Sequence, residues 1–178
     1  DPFNGTIFWT DLGNGSKIEK ANYNGTNRQE LITTGLEFPI GLAVDITAGV
    51  MYWCDQLTYQ IERANVDGSN RQIIYKAQQP TYFLATALYQ TSLYYTEYNK
   101  GNVMEIGTNG SGPVSVGPAI PGTKSGIHVH KDGYNPSGIN GCSNGRGGCS
   151  QFCFPQTGGT RLCACSDGFI LQTDGRTC

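Results

Sequence analysis

The sequence has few charged residues and no long apolar run. Only 15% of its 178 residues are Asp, Glu, Lys or Arg, and the formal net charge is −2. With 12 basic and 14 acidic residues and no basic stripe, the sequence argues against nucleic acid or an anionic membrane as the main partner. No apolar run approaches the roughly 20 residues that a transmembrane helix needs, so we predict no membrane span in this chain.

Sequence motifs of known catalytic sites are also missing. There is no Gly-x-Ser-x-Gly, no His-Glu-x-x-His and no phosphate-binding loop, and the two histidines, His128 and His130, lie in one short stretch. A nucleophile, a base and a group that orients the base cannot be assembled from these residues. We therefore predict that the protein is not an enzyme.

Glycine and cysteine are abundant instead. The chain has 25 glycines, and Tyr, Trp, Phe, Ile and Leu recur throughout, which indicates a turn-rich all-β protein rather than a disordered one. Six of the seven cysteines cluster at positions 142, 149, 153, 163, 165 and 178. Such a cluster predicts disulfides and an oxidising compartment. Zinc is the rival use of clustered cysteines, but no Cys-x-x-Cys pair occurs, so we predict no metal site.

A strand cassette occurs three times. The copies are Ile7–Asp11 (IFWTD), Met51–Asp55 (MYWCD) and, more faintly, Leu93–Glu97 (LYYTE); KIEKANYNGTNRQ follows the first and QIERANVDGSNRQ the second. Trp9 and Trp53 are 44 residues apart, and Trp53 and Tyr95 are 42 apart. This period is that of one four-stranded propeller blade.

The strands predicted around these cassettes number three, four and four. One more strand is expected at Ser125–His130, where it is placed to pair beside the first cassette. The predicted strands are Thr6–Thr10, Lys17–Ala21, Arg28–Thr33, Ile40–Asp45, Val50–Cys54, Tyr59–Ala64, Arg71–Tyr75, Tyr82–Leu88, Leu93–Glu97 and a pair within Asn102–Val114. Three blades are too few for a ring, because propellers use roughly four to eight.

The cassette resembles the YWTD repeat, the class B repeat of low-density-lipoprotein-receptor relatives. The resemblance implies an all-β fold with about half of a six-bladed YWTD β-propeller in residues 1–134 and a small disulfide-rich EGF-like module in residues 140–178. The favoured interpretation is the C-terminal half of a ring whose other blades are absent from this sequence. The alternative is a half-ring completed by another chain.

Nine residues of the motif have expected roles. The matched aromatics Phe8, Trp9, Tyr52, Trp53, Tyr94 and Tyr95 are expected to pack one blade against the next. Asp11, Asp55 and Glu97 close the motif, and the resemblance implies that the Asp holds backbone groups of a neighbouring repeat; Glu97 is one methylene longer. Cys54 replaces the Thr of the motif. We expect it to be a small buried free thiol, with an intermolecular disulfide as the alternative.

The cysteine spacing resembles that of an EGF-like module. Six cysteines allow fifteen pairings, among which sequence alone does not choose. The resemblance implies Cys142–Cys153, Cys149–Cys163 and Cys165–Cys178. It also implies that some of the apolar residues Phe152, Phe154, Phe169 and Ile170 dock on the propeller. Residues 134–141 contain no carboxylate, so calcium binding by this module is not expected.

Four Asn-x-Ser/Thr sequons add to the evidence for an extracellular setting. They are Asn4, Asn14, Asn24 and Asn109, and we expect N-linked glycans at most of them and no other cofactor. The protein is expected to be secreted or the ectodomain of a single-pass membrane protein. His128 and His130 are candidates for pH sensing, as in endocytic relatives, beside the plainer structural role.

Two functions remain from different classes. The first is an extracellular module of a receptor related to the low-density-lipoprotein receptor, which binds and releases a protein ligand during endocytosis. The second is a structural glycoprotein of extracellular matrix or of a filament, in which propeller and module make subunit contacts. The expected partners are a protein ligand, another extracellular glycoprotein, further copies of this chain or the missing half of the ring. Fold does not separate these functions.

Overall fold

The computed structural model describes residues 1, 4–78, 80–98, 100–119, 121–122, 125–129 and 139–178. These residues form thirteen β-strands and two short 3₁₀ turns, at Gly145–Gly148 and Thr157–Gly159, and contain no α-helix. The strands are β1 (Thr6–Asp11), β2 (Lys17–Asn22), β3 (Gln29–Ile32), β4 (Pro39–Asp45), β5 (Val50–Asp55), β6 (Gln60–Asn65), β7 (Gln72–Lys76), β8 (Phe83–Tyr89), β9 (Ser92–Glu97), β10 (Lys100–Gly107), β11 (Val114–Val116), β12 (Phe152–Pro155) and β13 (Arg161–Ala164). The all-β prediction is confirmed.

The strands form four sheets in which sequence neighbours pair. The orders are β1-β2-β3, β4-β5-β6-β7, β8-β9-β10-β11 and β12-β13. The predicted counts of three, four and four strands are therefore confirmed. Each four-stranded sheet is an antiparallel meander, as expected for a propeller blade.

The turn before the last strand of each blade explains the spacing of the repeat. In the second blade, the Asn65 N–H donates to the Ser69 carbonyl at 2.9 Å, and Gly68 takes a φ of +87°. The Asp67 side chain caps the turn by accepting the Ser69 N–H at 2.9 Å. A left-handed backbone position next to a capping Asp or Asn favours the Asp-Gly and Asn-Gly pairs that mark every copy.

The chain divides into two compact units. One comprises residues Trp9–Glu19 and Glu30–Lys131, and it holds two apolar clusters on the opposite faces of β5. All six residues of β5 are buried. Because side chains alternate along a strand, Tyr52 and Cys54 join one cluster while Met51 and Trp53 join the other.

The second unit comprises Asp1–Phe8, Lys20–Gln29 and Asp132–Cys178. Within it the Tyr23 ring meets the Phe154 ring edge-on at 6.3 Å, and burial raises the pKa of the Tyr23 hydroxyl. By contrast Phe152, Phe169 and Ile170 are 48%, 57% and 80% exposed. Of the four apolar residues singled out for docking, Phe154 is the one that contacts the turn after β2.

One predicted strand is wrong. Residues 125–129 form no strand, and His130, the last residue of the expected Ser125–His130 strand, lies outside the described residues. The alternating SGIHVH pattern is compatible with a strand, but a strand also requires a hydrogen-bonded neighbour. No described strand pairs with residues 125–129, and the first sheet has three strands.

Candidate functional site

The last acidic residue of the second motif copy holds the backbone at the entrance of its own blade. Asp55, which is fully buried, accepts the backbone N–H of Glu37 at 2.8 Å and of Phe38 at 3.1 Å. It also accepts the N–H of Leu57 and Thr58, each at 3.1 Å. A single carboxylate thus ties the segment entering β4 to the turn leaving β5. Four backbone donors satisfy a group whose burial would otherwise be costly.

The other two acidic positions have different surroundings. Asp11 accepts the Gly13 N–H at 2.8 Å in an exposed turn. Glu97 is 4% exposed, and its Oε2 lies 2.5 Å from the Lys100 Nζ. The longer Glu side chain of the third copy therefore makes an ion pair with a surface lysine.

A polar clamp joins the first and second blades. The Arg71 guanidinium donates to both carboxylate oxygens of Glu62, at 2.7 and 2.9 Å, and its side chain lies 5.5 Å from the centre of the Trp53 ring. It also donates to the carbonyls of Thr34 and Gly35, the latter at 2.8 Å. Bidentate pairing and stacking suit arginine and not lysine. We refer to Arg71, together with Glu62, Trp53 and the Thr34 and Gly35 carbonyls that it contacts, as the clamp.

Sequence reasoning did not single out the Glu62–Arg71 pair. The signal was present, because Glu19 and Arg28 stand nine residues apart in the first cassette and Glu62 and Arg71 repeat that spacing in the second. Both pairs follow a Trp of the motif. A repeated acid–base pair at fixed spacing is a better indicator of a structural contact than either residue alone.

The predicted aromatic residues differ in burial. Trp53, Tyr95 and Tyr52 are 0%, 1% and 4% exposed, and the Tyr95 ring meets Phe83 edge-on at 5.4 Å. Phe8, Trp9 and Tyr94 are partly exposed. The matched aromatics of the second blade are therefore buried on both of its faces, Tyr52 in one apolar cluster and Trp53 in the other.

Cys54 is a free thiol with no access to solvent. It is fully buried, and its Sγ lies 2.9 Å from the Thr86 Oγ1. Burial raises the pKa of the Cys54 thiol to about 12. The alternative of an intermolecular disulfide does not fit this position, since another chain has no path to the sulfur.

The C-terminal segment contains three disulfides. They are Cys142–Cys153, Cys149–Cys163 and Cys165–Cys178, the same pairs that the resemblance implies. The second bridge joins segments that flank β12, and Cys149 and Cys163 are 6% and 5% exposed. Crosslinks of this kind replace the apolar core that so short a segment lacks.

The predicted surface residues lie where solvent reaches them. Asn4, Asn14, Asn24 and Asn109 are all exposed and lie in turns or bends. His128 is exposed as well, and His130 lies outside the described residues. Among the described residues, no group of His, Cys, Asp and Glu is placed to hold a metal ion. No helix in the described part of the chain has the length and apolar character needed to cross a bilayer.

A polar hollow of about 550 Å³ opens beside Asn109. Its wall includes Ser92, Glu105 and Ser111. Next to it, burial together with the Glu105 charge raises the pKa of the Tyr94 hydroxyl. The hollow is thus lined by hydrogen-bonding groups, by glycine backbone and by the apolar side chain of Val114.

Two family profiles match parts of the chain. The profile described as low-density lipoprotein receptor repeat class B matches residues 5–46, and the one described as coagulation factor Xa inhibitory site matches residues 142–178. The vitellogenin receptor Yl of Drosophila melanogaster is 27% identical over 180 residues, which cover 99% of this chain and 9% of that protein. The chain therefore spans less than a tenth of the length of this relative.

Solved structures share the fold. The structure titled as a nidogen/laminin complex aligns with a TM-score of 0.60 and 30% identity, covering 66% of this chain and 45% of that one. A gluconolactonase from Xanthomonas campestris aligns with a TM-score of 0.55 and 19% identity, covering 69% of this chain and 46% of that one. At 19% identity the second similarity extends to the fold alone.

Proposed function

We propose that this chain is a non-catalytic, protein-binding part of an extracellular receptor, because it belongs to the low-density-lipoprotein-receptor family of YWTD-repeat proteins. The observation that carries this proposal is the similarity to a vitellogenin receptor along 99% of the chain, through the blades and the cysteine-rich module together. The ligand is accordingly a protein of the vitellogenin kind, bound outside the cell and carried inward by endocytosis.

The residues support binding rather than catalysis. Two of the buried acids, Asp55 and Glu62, are engaged by backbone N–H groups and by Arg71, respectively. The single free thiol, Cys54, is buried and protonated at neutral pH. Rigid blades that present polar turns, together with a crosslinked module, form a scaffold on which loops recognise a partner.

The proposal further holds that these blades belong to a six-bladed ring, with residues 1–134 as its blades and residues 140–178 as the cysteine-rich module. The nidogen structure supports it, because this chain covers 45% of that chain. The remaining blades come from the same polypeptide or from a second chain. The mass of the intact native glycoprotein separates these arrangements.

Binding to immobilised glycoprotein tests the receptor function. Vitellogenin is passed over the native protein at pH 7.4 and again at pH 5.5, with a double Cys149→Ser, Cys163→Ser variant as the control for a folded module. Saturable binding at pH 7.4 that weakens at pH 5.5 is expected, and it should be reduced in the control. An absence of saturable binding at both pH values would refute the receptor function with this ligand class.

A matrix role is the second candidate, and the nidogen similarity at 30% identity favours it specifically. It predicts laminin binding that is insensitive to pH between 5.5 and 7.4, together with self-association that increases with concentration. Laminin passed over the immobilised protein measures the binding, and analytical ultracentrifugation measures the self-association. Laminin binding without vitellogenin binding would select this candidate over the receptor.

A further inference from the structure

The turn before the last strand of each blade differs between repeats at one position. In the first repeat the Asn22 Nδ2 donates to the Thr26 Oγ1 at 3.0 Å, and in the second the Asn65 Nδ2 donates to the Ser69 Oγ at 2.9 Å. The third repeat has Gly107 at the equivalent position. The side chain that fills this place in two repeats is therefore missing from the third.

Gly107 is not required by its backbone conformation, because its φ is not positive. Close approach explains it: a Cβ at Gly107 would lie 2.7 Å from the Asn109 Oδ1 and would collide with the Ser111 Oγ. Both atoms belong to the sequon Asn109-Gly110-Ser111. The glycine thus lets the sequon side chains lie against the strand and leaves the polar hollow open beside them.

The chemistry of the hollow fits a neutral polyhydroxylated ligand. Its wall offers groups from Thr91, Ser92, Glu105 and Thr108. Hydroxyls donate and accept, and a carboxylate accepts from sugar hydroxyls. Its volume of about 550 Å³ lies within the range of small-ligand sites, roughly 300–1,000 Å³.

We propose that the first N-acetylglucosamine of an N-linked glycan on Asn109 occupies this hollow. The inference rests on the extracellular setting of the proposed function, where such glycans are attached. In that reaction the Asn109 Nδ2 bonds to the sugar C1 and loses a proton, and a lipid pyrophosphate leaves the oligosaccharide donor. Because the sugar is tethered to a residue of the hollow, its effective concentration there is on the order of millimolar or more, and weak contacts suffice.

The Asn24 sequon is the internal control. It lies in the equivalent turn of the first repeat and is also exposed, and there Asn22 fills the equivalent place. The test measures how fast an endoglycosidase cuts between the two innermost sugars at each site, by peptide mass spectrometry of the folded glycoprotein. If two net hydrogen bonds hold the sugar, cleavage at Asn109 is slower than at Asn24 by about tenfold. The two rates should become equal after denaturation.

Gly107→Asn is the matched variant, because it restores the residue found in the other two repeats and creates no new sequon. It should leave the occupancy of Asn109 unchanged and raise the cleavage rate at Asn109 to that at Asn24. A direct readout does not depend on this variant: a nuclear Overhauser effect from the sugar acetamido methyl to the methyls of Val114, which lines the hollow.

Equal cleavage rates at Asn109 and Asn24 in the folded wild-type protein, or no Overhauser contact with Val114, would overturn the proposal. So would an unglycosylated Asn109. Each of these results leaves vitellogenin binding unaffected, so a failure of this inference is distinguishable from a failure of the receptor function.

Discussion

Replacing Arg71 with alanine is expected to destabilise the folded protein by about 3–5 kcal/mol, the usual cost of leaving a buried charge without its partner. Glu62 has a side chain only 3% exposed, and Arg71 contacts both of its carboxylate oxygens. The same substitution removes the donors to the Thr34 and Gly35 carbonyls of the preceding blade. The clamp therefore contributes stability both within the second blade, through Glu62, and to its contact with the preceding blade, through the two carbonyls.

A double-mutant cycle separates the two contributions. In a Glu62→Gln background no buried charge remains, so Arg71→Ala removes hydrogen bonds alone and costs about 1–3 kcal/mol. The coupling between the two positions should amount to about 0.5–3 kcal/mol. Urea unfolding at neutral pH is followed by Trp53 fluorescence, because its ring lies 5.5 Å from the guanidinium. Trp9→Phe in every variant removes the other tryptophan signal.

Lys76→Ala is the matched control, because it removes a cation from an exposed position of the neighbouring strand β7. A surface change of this kind costs no more than about 0.5 kcal/mol. The reasoning is refuted if Arg71→Ala shifts the free energy of unfolding no more than Lys76→Ala does. A cycle with no coupling would show instead that Glu62 does not depend on Arg71.

Three further outcomes are expected. Burial raises the pKa of the Cys54 thiol to about 12 from an unfolded value of 9.0, so the unfolded chain loses this proton first and the free energy of unfolding should fall as the pH rises above about 9. Iodoacetamide at pH 8 should label Cys54 only in denaturant, and rapid labelling of the native protein would contradict burial. The double Cys149→Ser, Cys163→Ser variant opens a bridge with a sequence separation of 14, and the free energy of unfolding of the module should fall by about 3 kcal/mol. The loss is measured as faster tryptic cleavage within the module. Unchanged resistance to trypsin would count against a structural role of this bridge. A cycle of Tyr23→Leu and Phe154→Leu should give a coupling of about 0.5–1.5 kcal/mol in thermal unfolding, and additive effects would mean that the ring contact is not stabilising.

Local pattern predicted the strands well because most of their information is local. The strand predicted at Val50–Cys54 is β5, Val50–Asp55, and the one predicted at Lys17–Ala21 is β2, Lys17–Asn22. Alternating aromatic and β-branched residues between Asn-Gly or Asp-Gly turns specify a meander without reference to the rest of the chain. The same argument failed at residues 125–129, because alternation cannot supply a pairing partner.

The candidate site was predicted less completely. Asp55 was expected to hold backbone groups of a neighbouring repeat, but the N–H groups of Glu37 and Phe38 that it accepts belong to the segment entering β4 of its own blade. The contact of Arg71 with the Gly35 and Thr34 carbonyls was not predicted, because these groups lie 36 and 37 residues from Arg71 along the chain. No local propensity reports which carbonyls a surface arginine will reach.

The sequence by itself determined the all-β class, the three blades with their strand counts, and the presence of a disulfide-linked module, because repeat period, turn chemistry and cysteine clustering are local properties of the chain. Only the tertiary structure decided that Cys54 is sealed from solvent, that Arg71 joins two blades and that Gly107 leaves a polar hollow beside a sequon. These features depend on which distant surfaces pack together, and packing is set by the shapes of whole blades and not by any one stretch of residues.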